Sequence, residues 1–138
     1  MIMNATAILL YSIVGAVITV YAPYLLVAFA RFKLGYDLSA PRAMFERLPP
    51  YAQRASWAHQ NGFEALSVYT AAVLVAVVTQ IEGPWVVASA IAFLVARLLF
   101  SVFYILDVPY LRSLMFGVAS ACSLTLFVLS LLAVHSAL

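Results

Sequence analysis

The stretch RASWAHQNGFEAL at 54–66 puts Arg54, His59, Gln60, Asn61 and Glu64 at the head of an otherwise apolar run. At about 100° per residue, Arg54, Trp57, Asn61 and Glu64 share one helical face, with Gln60 at its edge and His59 on the other side. Two more groups follow. Arg97 and Tyr104 stand seven residues apart within RLLFSVFY, and Arg112 with Ser113 follows the turn DVPY. Arg31 closes the first apolar run. Arginines grip carboxylates, often with two parallel hydrogen bonds. A glutamate takes an ammonium. A hydroxyl and an arginine at a helix start favour an anion such as a thiolate. A small zwitterionic peptide with two carboxylates, one amine and one thiol meets every member of this set, and glutathione answers that description.

The elements that must carry these residues are membrane helices. The chain has 138 residues, of which 67% are hydrophobic and 9% charged, with a mean hydropathy of +1.09. Soluble domains carry about 25% charged residues. About 20 apolar residues cross a bilayer as a helix, and four windows qualify, at 5–29, 53–80, 84–105 and 110–136. The expected fold is all-α, an integral membrane four-helix bundle in a single domain over residues 1–138. The opening MIMNATAILLYSIVGAVITV lacks a basic leader and a small-residue cleavage site, so it reads as the first span rather than a signal peptide. Cys122 is the only cysteine and reads as a small core residue. A net charge of +2 gives no ground for nucleic-acid binding. His59 and His135 make no metal set.

The first loop, roughly 30–52, holds Arg31, Lys33, Arg42 and Arg47. Arg112 lies beside the third loop, whereas the second turn, EGP at 82–84, has no cation. The positive-inside rule places loops one and three in the cytoplasm and both termini on the opposite side. Helix four carries a run of small residues, Gly117, Ala119, Ser120, Ala121, Cys122 and Ser123, which predicts close helix packing.

The polar residues have plainer readings one by one. Arg31, Arg54 and Arg112 each suit a topology anchor, and Tyr104 suits an interfacial aromatic. Arg97 with Glu64 suits a structural ion pair, Asn61 an interhelical hydrogen bond, and His59 a packing role. An ionised carboxylate at mid-helix costs about 2.5–3.5 kcal/mol on insertion scales, so Glu64 must face a partner or a wet cavity. The combination on neighbouring spans makes a functional site the stronger reading.

RASWAHQNGFEAL resembles the helix-two motif R-x-x-x-A-H-x-N-x-x-E of the MAPEG family, the membrane-associated proteins in eicosanoid and glutathione metabolism. RLLFSVFY with the later Arg112-Ser113 is similar to the family's microsomal prostaglandin E synthase branch. The resemblance covers essentially the whole chain and suggests a bacterial-type member near the microsomal glutathione transferases. It implies a homotrimer with glutathione between subunits, held by Arg31, Asn61, Glu64, Arg97 and Tyr104, with Tyr104 and Arg112 from a neighbouring copy. Arg112 and Ser113 match positions that stabilise the thiolate. The second substrate implied is a lipophilic electrophile or hydroperoxide from the bilayer. The chain departs from the eicosanoid-producing pattern at Trp57 and Gln60, where arginines are common, and at Phe100, where a histidine stands.

The function expected is a glutathione transferase, with peroxidase chemistry open to the same thiolate. The first alternative is a non-catalytic lipid-binding scaffold on the same fold. A small proton-coupled exporter ranks last, because the first span, 5–29, holds no acid.

Overall fold

The computed structural model describes residues 4–138. Met1, Ile2 and Met3, part of the stretch read as a span start rather than a leader, lie outside it. Four helices make up the fold: α1 (Ala5–Lys33), α2 (Pro50–Val78), α3 (Pro84–Ile105) and α4 (Pro109–Ser136). One short 3-10 turn, Phe45–Arg47, sits in the first loop. All four helices are long and apolar enough to cross a membrane. The protein is an all-α, multi-pass integral membrane protein.

The spans read from the sequence fall on these helices with small shifts at the ends. α1 continues through Arg31 to Lys33, cations favoured at a helix C-terminus; the left-handed Gly35, at φ +80°, follows. α2 begins three residues early, at Pro50, and ends at Val78 just before Gln80 turns to φ 54°. α2, α3 and α4 each open with proline at the first helical position, where a missing N–H costs no ladder bond. α1 opens instead on Asn4, whose side chain accepts the Ala7 N–H at 2.8 Å.

The helices run up and down in turn. Going up α1 meets α2 in reverse order: Ser12 bonds Tyr69 at 2.6 Å, and Val20 lies against His59. α2 meets α3 the same way, through Tyr69 stacked on Phe93, then Asn61 on Arg97, then Arg54 on Ile105. α3 meets α4 through Phe100 with Phe116 and Tyr104 with Arg112. This alternation gathers the end of α1, the start of α2, the end of α3 and the start of α4 at one end of the bundle, so Arg31, Arg54, Asn61, Glu64, Arg97, Tyr104, Arg112 and Ser113 all lie in that half, with His135 at the opposite end.

The core is built from small side chains and two large rings. Ala72, Ala76, Ala90, Ala96, Ala119 and Cys122 are buried around Tyr69 and Phe93, whose centroids stack at 3.6 Å. Alanines let helix backbones approach closely in lipid. Gly62 serves the same end, since a Cβ there would stand 3.2 Å from Val20 Cγ2. The small-residue run on α4 divides. Ala119, Cys122 and Ser123 are buried, while Gly117, Ser120 and Ala121 face outward.

Candidate functional site

Asn61 sits on α2 facing Arg97 on α3. Its Oδ1 accepts from both Nη1 and Nη2 of Arg97, each at 3.1 Å, and its Nδ2 donates to Glu64 Oε2 at 3.3 Å. Only this orientation of the amide serves both neighbours, because a guanidinium is donor-only and a carboxylate acceptor-only. The guanidinium carbon also lies 4.2 Å from the Phe100 ring centroid, a cation–π contact. Arg97 is therefore buried, with an acceptor on one side and a ring on the other. Glu64 is exposed along the same face, and its second oxygen has no partner among the described residues. Charge, donors and a free carboxylate oxygen thus line up over one turn of α2.

The other half of the site stands about 10 Å along α3, seven residues on at 1.5 Å each. Tyr104 lies edge-on to Phe100 and 6.5 Å from the Trp57 ring. The Arg112 guanidinium sits over the Tyr104 ring at 4.6 Å. Asn61, Phe100, Tyr104, Arg112, Ser113 and Phe116 enclose a cleft of about 270 Å³. Asn61 and Phe116 also line an adjoining cavity of about 280 Å³, where Glu64 and Arg97 stand at the polar end and Phe93, Leu124 and Phe127 form apolar walls. A polar cleft thus lies beside an apolar slot between α2, α3 and α4, the two sharing Asn61 and Phe116 as walls.

One chain alone brings Asn61, Glu64, Arg97, Tyr104, Arg112 and Ser113 to these two adjacent cavities. The resemblance implies Tyr104 and Arg112 from a neighbouring copy; here antiparallel packing of α3 and α4 delivers both beside Asn61 of the same chain. Arg31 does not join them. It lines a different cavity, between α1, the first loop and α2, together with His59 and Gln60. The reason is rotational: Gln60 precedes Asn61 by one residue, and about 100° separates them around α2.

Arg54, on the Asn61 face by spacing, is taken up elsewhere. Its Nε donates to the Ile105 carbonyl at 2.9 Å, and its Nη1 stands 3.7 Å from Asp107. It closes the C-terminus of α3, where carbonyls have no helical partner. His59 packs rather than ligates. Its Nδ1 lies 2.7 Å from the Val20 carbonyl, and its ring sits among Tyr21, Tyr24 and Phe63. The described residues hold no cluster of three metal-ligating side chains. The sequence reading missed the apolar slot: Phe116, Leu124 and Phe127 look like ordinary lipid-facing residues, and although Phe116 and Leu124 stay exposed in the structure, all three line the cavity beside Glu64 and Arg97.

The MAPEG family model matches residues 8–132, nearly the whole chain. No curated protein and no solved structure matches it.

Proposed function

Because the chain belongs to the MAPEG family, and so to the membrane proteins of glutathione and eicosanoid metabolism, we propose that it is a glutathione-dependent transferase acting on lipophilic electrophiles. The observation that carries this reading is the Arg97–Asn61–Glu64 relay at the junction of a polar cleft and an apolar slot.

Each residue has a role suited to its chemistry. Glu64, with one oxygen free, takes the glutathione ammonium. Arg97 and Asn61 hold that carboxylate in place. Arg112 pairs with a carboxylate or with the sulfur, and Ser113 donates its hydroxyl to the same anion. A cation within about 4–6 Å lowers an acid pKa by about 1–3 units, which raises the thiolate fraction near neutral pH. Tyr104 holds Arg112 by its ring face and stands at the rim of the cleft. Glutathione supplies the nucleophilic sulfur: a carbon–sulfur bond forms as the electrophile's leaving group departs or its strained ring opens. The Phe93, Leu124 and Phe127 slot receives the electrophile's apolar part, so both reactants are held together. A hydroperoxide in the slot would be attacked at its outer oxygen by the same thiolate, leaving as the alcohol, and the sulfenic acid so formed on glutathione would condense with a second glutathione to give the disulfide and water, a peroxidase outcome.

The assembly proposed is a homotrimer with lipid around it, with Gly117, Ser120 and Ala121 offering outward small-residue contact. This reading puts loops one and three on the cytoplasmic side, with the cluster of cations in loop one as its support. A second reading, a lipid-binding scaffold without turnover, draws on Arg97. Both of its Nη groups are already bonded to Asn61, and Trp57, Gln60 and Phe100 add no cation.

The test is a titration of the purified protein in nanodiscs with glutathione, reading heat and ultraviolet thiolate absorbance together. Binding with a thiolate signal supports the transferase. Binding without thiolate turns the reading to the scaffold, and no binding removes glutathione from the function.

A further inference from the structure

α1 and α3 share one face of the bundle, and α2 and α4 share the opposite one. The slot beside Glu64 draws on α2, α3 and α4 and takes nothing from α1. The α1–α3 face carries two hollows of its own, at the end of the bundle away from Arg112. The hollow at the rim, about 580 Å³, is walled by Asn4, Glu82, Val87 and Ala88. The one below it, about 180 Å³, is walled by Ile8, Ser12 and Leu94. Ile91 is a wall of both. From Pro84 to Leu94 α3 rises about 15 Å, half of a hydrocarbon core of about 30 Å, which is the depth of one leaflet.

Polarity is concentrated at the rim. Below it, the Ser12 hydroxyl is already committed, 2.6 Å from the Leu9 carbonyl and 2.6 Å from the Tyr69 hydroxyl, so alkyl side chains and the Tyr11 ring are what a guest meets. At the rim, Glu82 is exposed. The one ion pair among the described residues is Arg54 with Asp107, so the Glu82 carboxylate has no cation partner there. All 7 lysines and arginines lie in the other half of the bundle. Asn4 accepts the Ala7 N–H through Oδ1 at 2.8 Å, which leaves its Nδ2 as a donor. α1 and α3 both start at this rim, and helix starts carry partial positive charge.

An unpaired carboxylate beside a neutral donor and two positive helix ends suits a headgroup that holds an ammonium and a phosphate side by side. A primary ammonium donates a charge-assisted hydrogen bond to a carboxylate. A quaternary choline has no N–H to donate. A glycerol headgroup leaves the lipid with a net negative charge, which Glu82 repels and no cation at this rim offsets.

We propose that the α1–α3 face binds a phospholipid of the adjoining leaflet, selected for a primary-amine headgroup of the ethanolamine type. Glu82 receives the ammonium, Asn4 Nδ2 donates to the phosphate, and one acyl chain lies along Val87, Ala88, Ile91 and Leu94. Bound there, the lipid ties α1 to α3. The two hollows share no wall residue with the cleft or the slot, so lipid is held whether or not glutathione is.

Native mass spectrometry of lipid retained by the detergent-purified protein, with thermal unfolding of the same samples, tests this. Phosphatidylethanolamine, phosphatidylcholine and phosphatidylglycerol with identical acyl chains are titrated separately. Glycerophosphoethanolamine, the same headgroup without acyl chains, is the soluble arm. Wild type should retain phosphatidylethanolamine about tenfold better than either other lipid, the worth of one charge-assisted hydrogen bond, and its unfolding midpoint should rise with that lipid. Glu82→Gln should erase the preference while all three lipids are still retained. Ala88→Phe fills the upper hollow from an exposed position, so it should lower retention of all three and leave the lipid-free midpoint near that of wild type. Glu46→Gln, an exposed acid of the first loop, should match wild type. Equal retention of the three lipids by wild type, or a preference that survives Glu82→Gln, overturns the proposal. Full retention in Ala88→Phe does the same, because the acyl chain would then lie elsewhere. So does an equal midpoint shift from glycerophosphoethanolamine, which would make the rim a site for a soluble amine.

Discussion

Arg97 and Glu64 carry opposite charges on facing helices, yet they do not pair directly. Asn61 stands between them, accepting both Arg97 Nη groups at 3.1 Å and donating to Glu64 at 3.3 Å. An ion pair would consume the carboxylate. The amide relay positions it and leaves an oxygen for a ligand.

Glu64→Gln keeps the length and the acceptor toward Asn61 but removes the charge. Glu64 is exposed, so stability should stay within about 0.5 kcal/mol of wild type. A charge-assisted hydrogen bond is worth about 1.5–3 kcal/mol, so the glutathione Kd should rise roughly tenfold to a hundredfold. Calorimetric titration of the variant reads this directly; an unchanged Kd would remove Glu64 from the site.

Asn61→Leu should lower the unfolding midpoint, because it leaves the Arg97 guanidinium buried without its acceptor, at a cost of about 1–3 kcal/mol. Asn61→Asp should preserve the fold, since an acceptor remains for Arg97. It also sets a second negative charge beside Glu64, so glutathione binding should change without unfolding. Equal midpoints for Asn61→Leu and wild type would show that the relay carries no structural energy.

Arg112→Ala should separate binding from activation. Glutathione should still bind within a few-fold, held by Glu64. Its thiol pKa should move up by about 1–3 units as the cation is lost. The pH dependence of thiolate absorbance in the bound state measures the shift, and a titration curve superimposable on wild type would assign the thiolate to another group.

Arg54→Ala should cost about 1 kcal/mol, the worth of its hydrogen bond to the Ile105 carbonyl and an exposed ion pair. It should leave glutathione affinity alone. A large affinity loss would mean that Arg54 leaves α3 to meet the ligand.

The spans were legible because apolar runs of the required length are unambiguous, and their ends shifted by a few residues where proline or a left-handed residue overrode hydropathy. The relay was half legible. Spacing put Asn61 and Glu64 on one face and marked Arg97, but an interhelical hydrogen bond and a ligand site looked like rival readings of Asn61. Its amide makes that bond while holding Glu64 toward the cavity. Arg54 shared that face by angle, yet its long side chain reaches the α3 terminus, which no helical wheel reveals. Arg31 was legible as a cation and not as a buried one, because burial there depends on how the first loop folds back over α1.

Three of the four helices begin on a proline, and a proline start cannot slide. Each of these helices is therefore measured from a fixed zero, with Asn61 about 16 Å and Arg112 about 5 Å along its own axis. One residue inserted between Pro50 and Asn61 would not be absorbed by a longer loop. It would turn Asn61 about 100° away from Arg97 and bring Gln60 round in its place. The segment from Pro50 to Asn61 thus behaves as a ruler, tolerant of many side-chain exchanges and intolerant of any change in count.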